Sequence, residues 1–332
     1  FDCATAICER QHKKAFYVVC DTYVTLTDGT GGMYLLQTVT AVYLRLLGHE
    51  ISNGGFVLDV NETPDPEEFE DAYMRYANAR VCPPRPAEKT YRVRGTQEPF
   101  YTLNVIDGIM SVSAVQKVAK QYQASITEYL NAVLLYSLLQ KQEHDFHLRL
   151  RPVRIAMPVN LRRFFPSKTL RNFITMVYPS IDPRLGDYTF EEIVTQVHHY
   201  MRYYINSKFL RGDITTNAST QRNPLIRIVP LFLKDFVVRQ FYQRVQDKNS
   251  SAGLTNMGAI RVPDDMKPYL ERFDIYMGIP YSQRTNCAIV SFEDTLTVNF
   301  ASCIIEADVE RRFFQKLVED GIPVTIESNR EL

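Results

Sequence analysis

Residues 23–47 have the sequence Y-V-T-L-T-D-G-T-G-G followed by M-Y-L-L-Q-T-V-T-A-V-Y-L-R-L-L. Three glycines fall between Asp28 and Gly32, and the apolar residues after them have the spacing of an amphipathic helix. Gly48 supplies a typical helix stop. Residues 15–20, before the glycines, form a short apolar run rich in β-formers. The sequence therefore predicts a buried strand, a glycine turn and a long buried helix.

The glycine turn does not match a nucleotide-binding loop. Neither G-x-G-x-x-G nor Gly-Lys-Ser/Thr is present, and there is no G-x-S-x-G nucleophile motif. The spacing leaves two roles open for the glycines. They allow the backbone to approach a ligand, or they let the strand pack against the helix.

The overall composition excludes several classes of protein. The chain has 332 residues, 38 Lys plus Arg against 38 Asp plus Glu, and 45% apolar residues. This is neither a disordered chain nor a polycationic nucleic-acid binder, and its length predicts about two domains. No apolar run approaches the roughly 20 residues that span a bilayer. We therefore expect no nucleic-acid partner and no transmembrane segment.

The six cysteines are scattered, without a C-x-x-C pair. This pattern is typical of reduced cysteines in a cytosolic protein, and it provides no zinc ligand set. The sequence therefore predicts a cytoplasmic protein without a metal site.

The remaining elements predict a mixed α/β fold. Strands are predicted at residues 100–106, 153–159, 173–181, 289–292, 296–305 and 323–327. Helices are predicted to start at Ser113 and to occupy residues 126–140, 189–210 and 308–319. Asp107-Gly108 is predicted to be a turn, Ser113 and Ser125 to start capping boxes, and Glu293-Asp294 to form a hairpin turn. Strands and helices do not alternate strictly, which favours mixed sheets in two lobes.

Residues 52–90 differ in kind from the rest of the chain. Prolines interrupt them, and the acidic residues from 59 to 71 have no Lys or Arg among them. This indicates a solvated surface connector with one helix at residues 66–79, rather than a cation site. The predicted division is a partial N-terminal lobe at residues 1–90 and a C-terminal lobe at residues 91–332.

Residues 23–32 resemble the H-H-x-x-x-D-G region of the CoA-dependent acyltransferase superfamily. This superfamily includes chloramphenicol acetyltransferase, peptide-synthetase condensation domains and the bacterial alcohol acetyltransferase-like proteins, and the last group is the most similar. Further similar segments follow in order: 158–162 (P-V-N-L-R), 169–173 (T-L-R-N-F), 228–234 (I-V-P-L-F-L-K), 254–258 (L-T-N-M-G), 309–314 (V-E-R-R-F-F) and 321–324 (G-I-P-V). The resemblance covers nearly the whole chain and implies a two-lobed chloramphenicol acetyltransferase-like fold.

The sequence departs from this family pattern in two respects. The catalytic histidine position, four residues before the motif aspartate, is occupied by Val24, and the other histidine position by Tyr23. In the family the motif lies well inside the first lobe, whereas about 23 residues precede it here. The resemblance therefore implies that most of that lobe is absent from this sequence.

The resemblance also implies roles for individual residues. Asp28 forms an internal salt bridge that holds the loop, although an Asx-type turn is an alternative, and Gly29 allows a tight turn at the tunnel. The residues implied to bind substrate or CoA are Tyr23, Thr30, Asn160, Arg162, Arg171, Asn172, Thr255 and Asn256. For the Thr255-Asn256 segment, a turn before Gly258 is an alternative.

Five arginines between residues 149 and 163 also suit phosphate, although an ordinary solvated strand and loop explains them equally well.

The implied function is transfer of an acyl group from acyl-CoA to an alcohol or amine acceptor in a tunnel between the lobes, without a metal or redox cofactor. Valine cannot exchange a proton, and general-base catalysis contributes about 10²–10⁴-fold, so we expect slow or absent transfer. Two alternatives remain: a non-catalytic binding or scaffold protein on the same fold, and a condensation-type domain that depends on a carrier protein.

Overall fold

The computed structural model describes residues 16–22, 26–78, 88–99, 102–145, 149–222, 249–280 and 283–330. Tyr23, Val24 and the similar segment 228–234 lie outside the described residues. The helices in the described parts are α1 (Gly29–Leu46), α2 (Ala72–Tyr76), α3 (Val112–Gln121), α4 (Ile126–His144), α5 (Phe190–Tyr204), α6 (Ser207–Arg222) and α7 (Asp308–Glu319). The strands are β1 (Asn104–Ser111), β2 (Val153–Asn160), β3 (Ile174–Val177), β4 (Ser180–Ile181), β5 (Ala252–Ala259), β6 (Thr285–Phe292), β7 (Thr295–Ser302) and β8 (Thr325–Ser328).

The eight strands form one mixed sheet in the order β3-β2-β5-β6-β7-β1-β8, with β4 also paired to β2. β2, β5 and β6 run parallel to one another, and the other pairs are antiparallel. β6 and β7 form the hairpin predicted at Glu293-Asp294, where Glu293 has a φ of 50°. The predicted mixed α/β fold is confirmed.

The main core surrounds α4, which packs against α5, α7 and β2. Ser125 caps this helix, and its capping box with Glu128 is present as predicted. Leu130, Leu134 and Leu138 have no exposed surface. Because α4 is apolar on most sides, it lies at the centre of the molecule, as its sequence predicts.

A second core lies on the opposite face of the sheet, beneath α1. Ala41 and Leu44 of α1 pack there with Phe273 and with Val290 of β6, whereas Ile289 of β6 belongs to the main core. Successive residues of a strand point to opposite faces, so β6 contributes to both cores. α1 is thereby fixed to the sheet by one side only. Leu35, Tyr43 and Leu46 are exposed, so the predicted long helix is present but is half-buried rather than buried.

The predicted buried strand at residues 15–20 is wrong for the part that the structure describes. Phe16 is 60% exposed and Val19 is 46% exposed. A strand needs a neighbour for its backbone hydrogen bonds, and no strand of the described sheet pairs with residues 16–20. High β-propensity alone does not produce a strand there.

The predicted turn at Asp107-Gly108 is also wrong, because both residues lie within β1. A Cβ at Gly108 would lie 2.0 Å from Cε1 of Phe314, so the glycine makes room for a ring of α7. β1 continues to Ser111, which caps α3 in place of the predicted Ser113.

Three other predicted elements are divided in the structure. The helix predicted at residues 66–79 is a 3₁₀ turn (Pro66–Phe69) followed by α2, the strand at residues 173–181 is β3 and β4, and the helix at residues 189–210 is α5 and part of α6. Across the parts of the chain that the structure describes, no helix has the length and apolar character needed to cross a membrane.

Candidate functional site

Asp28 lies at the N-terminus of α1, with 3% of its surface exposed. Its Oδ1 accepts hydrogen bonds from the backbone N–H groups of Thr30 at 3.0 Å and Gly31 at 3.3 Å, which is an N-cap arrangement. Its Oδ2 accepts from the backbone N–H of Phe173 at 2.9 Å and from Nη1 of Arg162 at 2.6 Å. The salt bridge and the Asx-type cap, which the sequence left as alternatives, are both present.

The guanidinium of Arg162 is surrounded by acceptors within the protein. Besides Asp28, it donates to the side chain of Asn160 and to the carbonyl oxygens of Thr169 and Arg171. These five hydrogen bonds match the five N–H donors of an arginine. The side chain is 13% exposed. As placed here, Arg162 holds the motif and has no donor left for a phosphate of CoA.

Gly29 and Gly31 belong to the first turn of α1, and neither has a positive φ. The tight turn expected at Gly29 is therefore wrong. Close packing against backbone requires a glycine at position 31, whereas the neighbour of Gly29 is the flexible end of a methionine side chain. A Cβ at Gly29 would lie 2.7 Å from Sδ of Met257, and a Cβ at Gly31 would lie 2.0 Å from Oγ1 of Thr27 and 2.5 Å from the carbonyl oxygen of Leu170.

The sheet opens beside this helix turn. β2 and β5 are paired only at Ile155–Ala252 and Ala156–Gly253. Beyond these residues β2 pairs with β3 as far as Asn160, while β5 pairs with β6 as far as Ala259. The two parallel strands therefore separate at their carboxyl ends, and we call this opening the β2–β5 split. Ligands of α/β sheets bind preferentially at such carboxyl ends.

The first turn of α1 is attached to both sides of the β2–β5 split. Nδ2 of Asn160, the last residue of β2, donates to Oγ1 of Thr30 at 3.0 Å. On the β5 side, Gly29 contacts Met257. Thr30, Asn160 and the motif glycine are thus brought together, as a common site requires.

Thr255 and Asn256 lie in β5, so the alternative of a turn before Gly258 is wrong. Thr255 is partly buried. Nδ2 of Asn256 donates to Oγ1 of Thr127 at 2.8 Å, and its Oδ1 accepts from the N–H of Gly258 at 2.8 Å. A β-bulge interrupts the pairing with β6 here, and Gly258 has a φ of 74°. This leaves the Thr255 hydroxyl as the more available group for a ligand.

The segment 169–173 is held by the acidic connector. The hydroxyl of Thr169 donates to the carbonyl oxygen of Glu70 at 2.7 Å, and Lys168 forms an ion pair with Asp65 at 2.7 Å. Arg171 is exposed and donates to the carbonyl oxygen of Phe69 at 3.4 Å. The connector is therefore part of the support of the site, and not only a solvated linker.

Tyr73 of α2 also contacts the chain at the end of the segment 169–173. The hydroxyl of Tyr73 donates to the carbonyl oxygen of Ile174, accepts from the N–H of Ile174 at 3.1 Å, and lies 3.5 Å from Oδ1 of Asn172. Burial raises the pKa of Tyr73 to about 12. The hydroxyl is thus neutral at physiological pH and anchors the backbone of Ile174.

The arginines between residues 149 and 163 do not form one cluster. Arg149 and Arg151 precede β2, whereas Arg162 and Arg163 follow it, so a strand of eight residues, about 26 Å long, separates them. Arg154 is 7% exposed and donates to the carbonyl oxygens of Glu88 and Asn249. Of this group, Arg163 is exposed and lies near the split, because its Nη2 is 3.9 Å from where a Cβ of Gly258 would be.

Sequence reasoning missed Met257 and Thr127, which contact Gly29 and Asn256. The glycine at position 258 is the one local signal for the bulge that positions Met257. No group of three or more His, Cys, Asp or Glu side chains arranged to hold a metal occurs among the described residues.

Solved structures share this arrangement of helices and strands. The first condensation domain of the calcium-dependent antibiotic synthetase, in complex with a substrate analogue, matches with a TM-score of 0.52 and 16% identity over 90% of this chain and 64% of that chain. The chain has the fold of a condensation domain. Such domains share the two-lobed chloramphenicol acetyltransferase-like fold that the sequence resemblance implies.

Two further structures are similar over comparable lengths. The epimerization domain from the third module of tyrocidine synthetase B has a TM-score of 0.47 and 11% identity, over 90% of this chain and 67% of that chain. Polyketide synthase associated protein 5 from Mycobacterium tuberculosis has a TM-score of 0.48 and 13% identity, over 88% and 70%. The chain thus spans about two thirds of the length of these proteins. No protein-family model and no curated protein matches its sequence.

Proposed function

We propose that this protein binds an acyl thioester at the β2–β5 split and transfers the acyl group, slowly, to an alcohol or amine acceptor. The observation that carries this proposal is the buried ion pair between Asp28 and Arg162. It fixes the first turn of α1 at the carboxyl ends of two parallel strands, on a fold shared with a condensation domain. The donor is acyl-CoA or the chemically equivalent pantetheine thioester of a carrier protein.

Individual residues have distinct tasks in this proposal. The hydroxyl of Thr255, on β5 beside the split, donates a hydrogen bond to the thioester carbonyl, where negative charge develops during attack. Arg163, which is exposed near the split, and Arg171, which is exposed beside the connector at Phe69, suit the phosphates of CoA. Asn160 and Thr30 hold the helix turn in place. For Tyr23, a contact with the substrate is proposed on the basis of the sequence resemblance alone.

The identity of residue 24 limits the rate of transfer in this proposal. A histidine at this position would take the proton of the attacking alcohol or amine, and valine cannot. Val24 also favours a second candidate function, a non-catalytic protein that binds acyl thioesters on the same fold. The two functions differ in turnover but not in thioester binding.

The test is to titrate the purified protein with acetyl-CoA in a calorimeter, and to follow thiol release with a panel of alcohols and amines. We expect binding together with slow thiol release. Acetyl-pantetheine, assayed in parallel, distinguishes a donor recognised through its CoA phosphates from one recognised through the pantetheine arm. Thr255→Val keeps the shape of the side chain and should reduce release more than binding. Absence of both binding and release would refute the proposal.

A further inference from the structure

The side chain of Met257 is placed by a defect in the sheet. In the pairing of β5 with β6, Asn256 is opposite Ile289 and Gly258 is opposite Val290, so Met257 is the extra residue of a bulge and has no partner in β6. Gly258, with a φ of 74°, permits this conformation. Bulges re-aim side chains and are frequent next to functional sites.

The re-aimed side chain lies directly on the motif. Sδ of Met257 is 2.7 Å from the position that a Cβ of Gly29 would occupy. A larger residue at position 29 would therefore displace the methionine. Asp28, one residue earlier, is fixed by its ion pair, so the helix turn beneath Met257 has a set position. The contact therefore joins Met257, the extra residue of the bulge, to Gly29, the glycine that follows the motif aspartate.

Met257 also lies beyond the paired part of β2 and β5, which ends at Gly253. It is partly buried and packs against the second core, so it borders the β2–β5 split on the α1 side. Methionine is unbranched and flexible, and such side chains adapt to apolar ligands of variable shape. An apolar chain that enters the split next to Thr255 would therefore meet the Met257 thioether first.

We propose that Met257 determines which acyl chains this protein accepts, by closing the split to chains longer than a few carbons. This inference rests on the proposed function, because it assumes that the split binds a thioester. Met257→Ala removes the side chain beyond Cβ, about three methylene-sized groups. Each buried methylene contributes a factor of about four in affinity, so space for three more carbons favours the longer chain by up to roughly 60-fold.

The chain also contains a matched control. Met277 lies over Gly253 of the same strand, with its Cε 2.9 Å from where a Cβ of that glycine would be. Gly253 is paired with Ala156, so this second contact between a methionine and a glycine lies outside the split. Met277→Ala removes the same atoms and should change the stability but not the chain-length preference.

The experiment measures dissociation constants of acetyl-CoA, hexanoyl-CoA and decanoyl-CoA by calorimetry for the wild type, Met257→Ala, Met257→Leu and Met277→Ala. We expect the affinity for hexanoyl-CoA relative to acetyl-CoA to rise by roughly 10- to 60-fold in Met257→Ala. Met257→Leu conserves volume but shortens the side chain, and should shift the same ratio about fourfold. It keeps the test available if the alanine variant does not fold.

Three outcomes would overturn the inference. If all variants bind acyl-CoA with the wild-type ratio, Met257 only packs α1 against β5. If Met277→Ala shifts the ratio as much as Met257→Ala, the change in chain-length preference does not arise at the split. If the wild type binds no acyl-CoA of any length, the proposed function itself fails, and the inference fails with it.

Discussion

Replacing Asp28 tests how the motif is held. In Asp28→Ala, the guanidinium of Arg162 loses its anionic partner while its side chain stays only 13% exposed. The backbone N–H of Phe173 loses its acceptor, and the first turn of α1 loses its cap. All three groups are buried or nearly so, which makes the loss costly.

The expected magnitude follows from these contacts. Removing one partner of a buried ion pair costs about 3–5 kcal/mol, and loss of an N-cap costs about 1 kcal/mol. The contributions share one carboxylate and are not additive, so we expect Asp28→Ala to lower the free energy of unfolding by about 3–5 kcal/mol. Asp28→Asn should be less harmful, because its amide oxygen replaces one of the two carboxylate oxygens.

Urea unfolding at neutral pH measures this change. With a slope of about 3 kcal/mol/M, the midpoint should fall by about 1–1.7 M at unchanged slope. The control is Lys168→Ala, which breaks the exposed ion pair between Lys168 and Asp65. This pair has nearly the same N–O distance as the pair between Arg162 and Asp28. Exposed pairs contribute little, so its midpoint should move far less. If Asp28→Ala costs under about 1 kcal/mol, or no more than the control, this account of the motif is wrong.

Two further predictions concern pH and close packing. Burial raises the pKa of Asp107 to about 6, so folding favours its protonated form. This group should therefore lower the free energy of unfolding as the pH rises from about 4 to about 6. Urea unfolding of Asp107→Asn should lack this contribution. If the free energy of unfolding of the variant and of the wild type changes equally with pH over this range, the prediction is wrong. Gly31→Ala places a Cβ against Thr27 and the carbonyl of Leu170 and should destabilise more than Gly32→Ala, whose Cβ meets only a threonine side chain at 3.3 Å. Thermal unfolding of the two variants checks this order, and equal midpoints would refute it.

Elements with strong local signals were predictable from the sequence. The capping box at Ser125 and the apolar run after it predicted α4, and helix α7 occupies its predicted residues 308–319. The hairpin at Glu293-Asp294 likewise needs only its own turn and the two flanking strands. In each case a short segment contains its own start, period and stop.

Features that depend on distant contacts were not predictable. Asp107-Gly108 has the composition of a turn, but the Phe314 ring of α7 requires a glycine in the middle of β1. The β2–β5 split exists because two strands, about 100 residues apart, pair for only two residues. No local pattern contains that information.

The candidate site shows the same division. The salt bridge of Asp28 followed from the family resemblance, but its partner, Arg162, was assigned to ligand binding. The guanidinium donates five hydrogen bonds to four acceptors within the protein, and three of these bonds go to the carbonyl oxygens of Thr169 and Arg171. A motif therefore indicates which residues matter, whereas the contacts decide what each one does.

The most direct test of the central claim is turnover by Val24→His with acetyl-CoA and the panel of acceptors. Residue 24 stands where the resembling family has its general base, so we expect the rate of thiol release to rise by about 10²–10⁴-fold over the wild type, with little change in acetyl-CoA affinity. Val24→Leu is the matched control and should stay at the wild-type rate. Equal release by the wild type and Val24→His, with acetyl-CoA bound by both, would contradict the claim that an acyl-transfer site is present and lacks only its base.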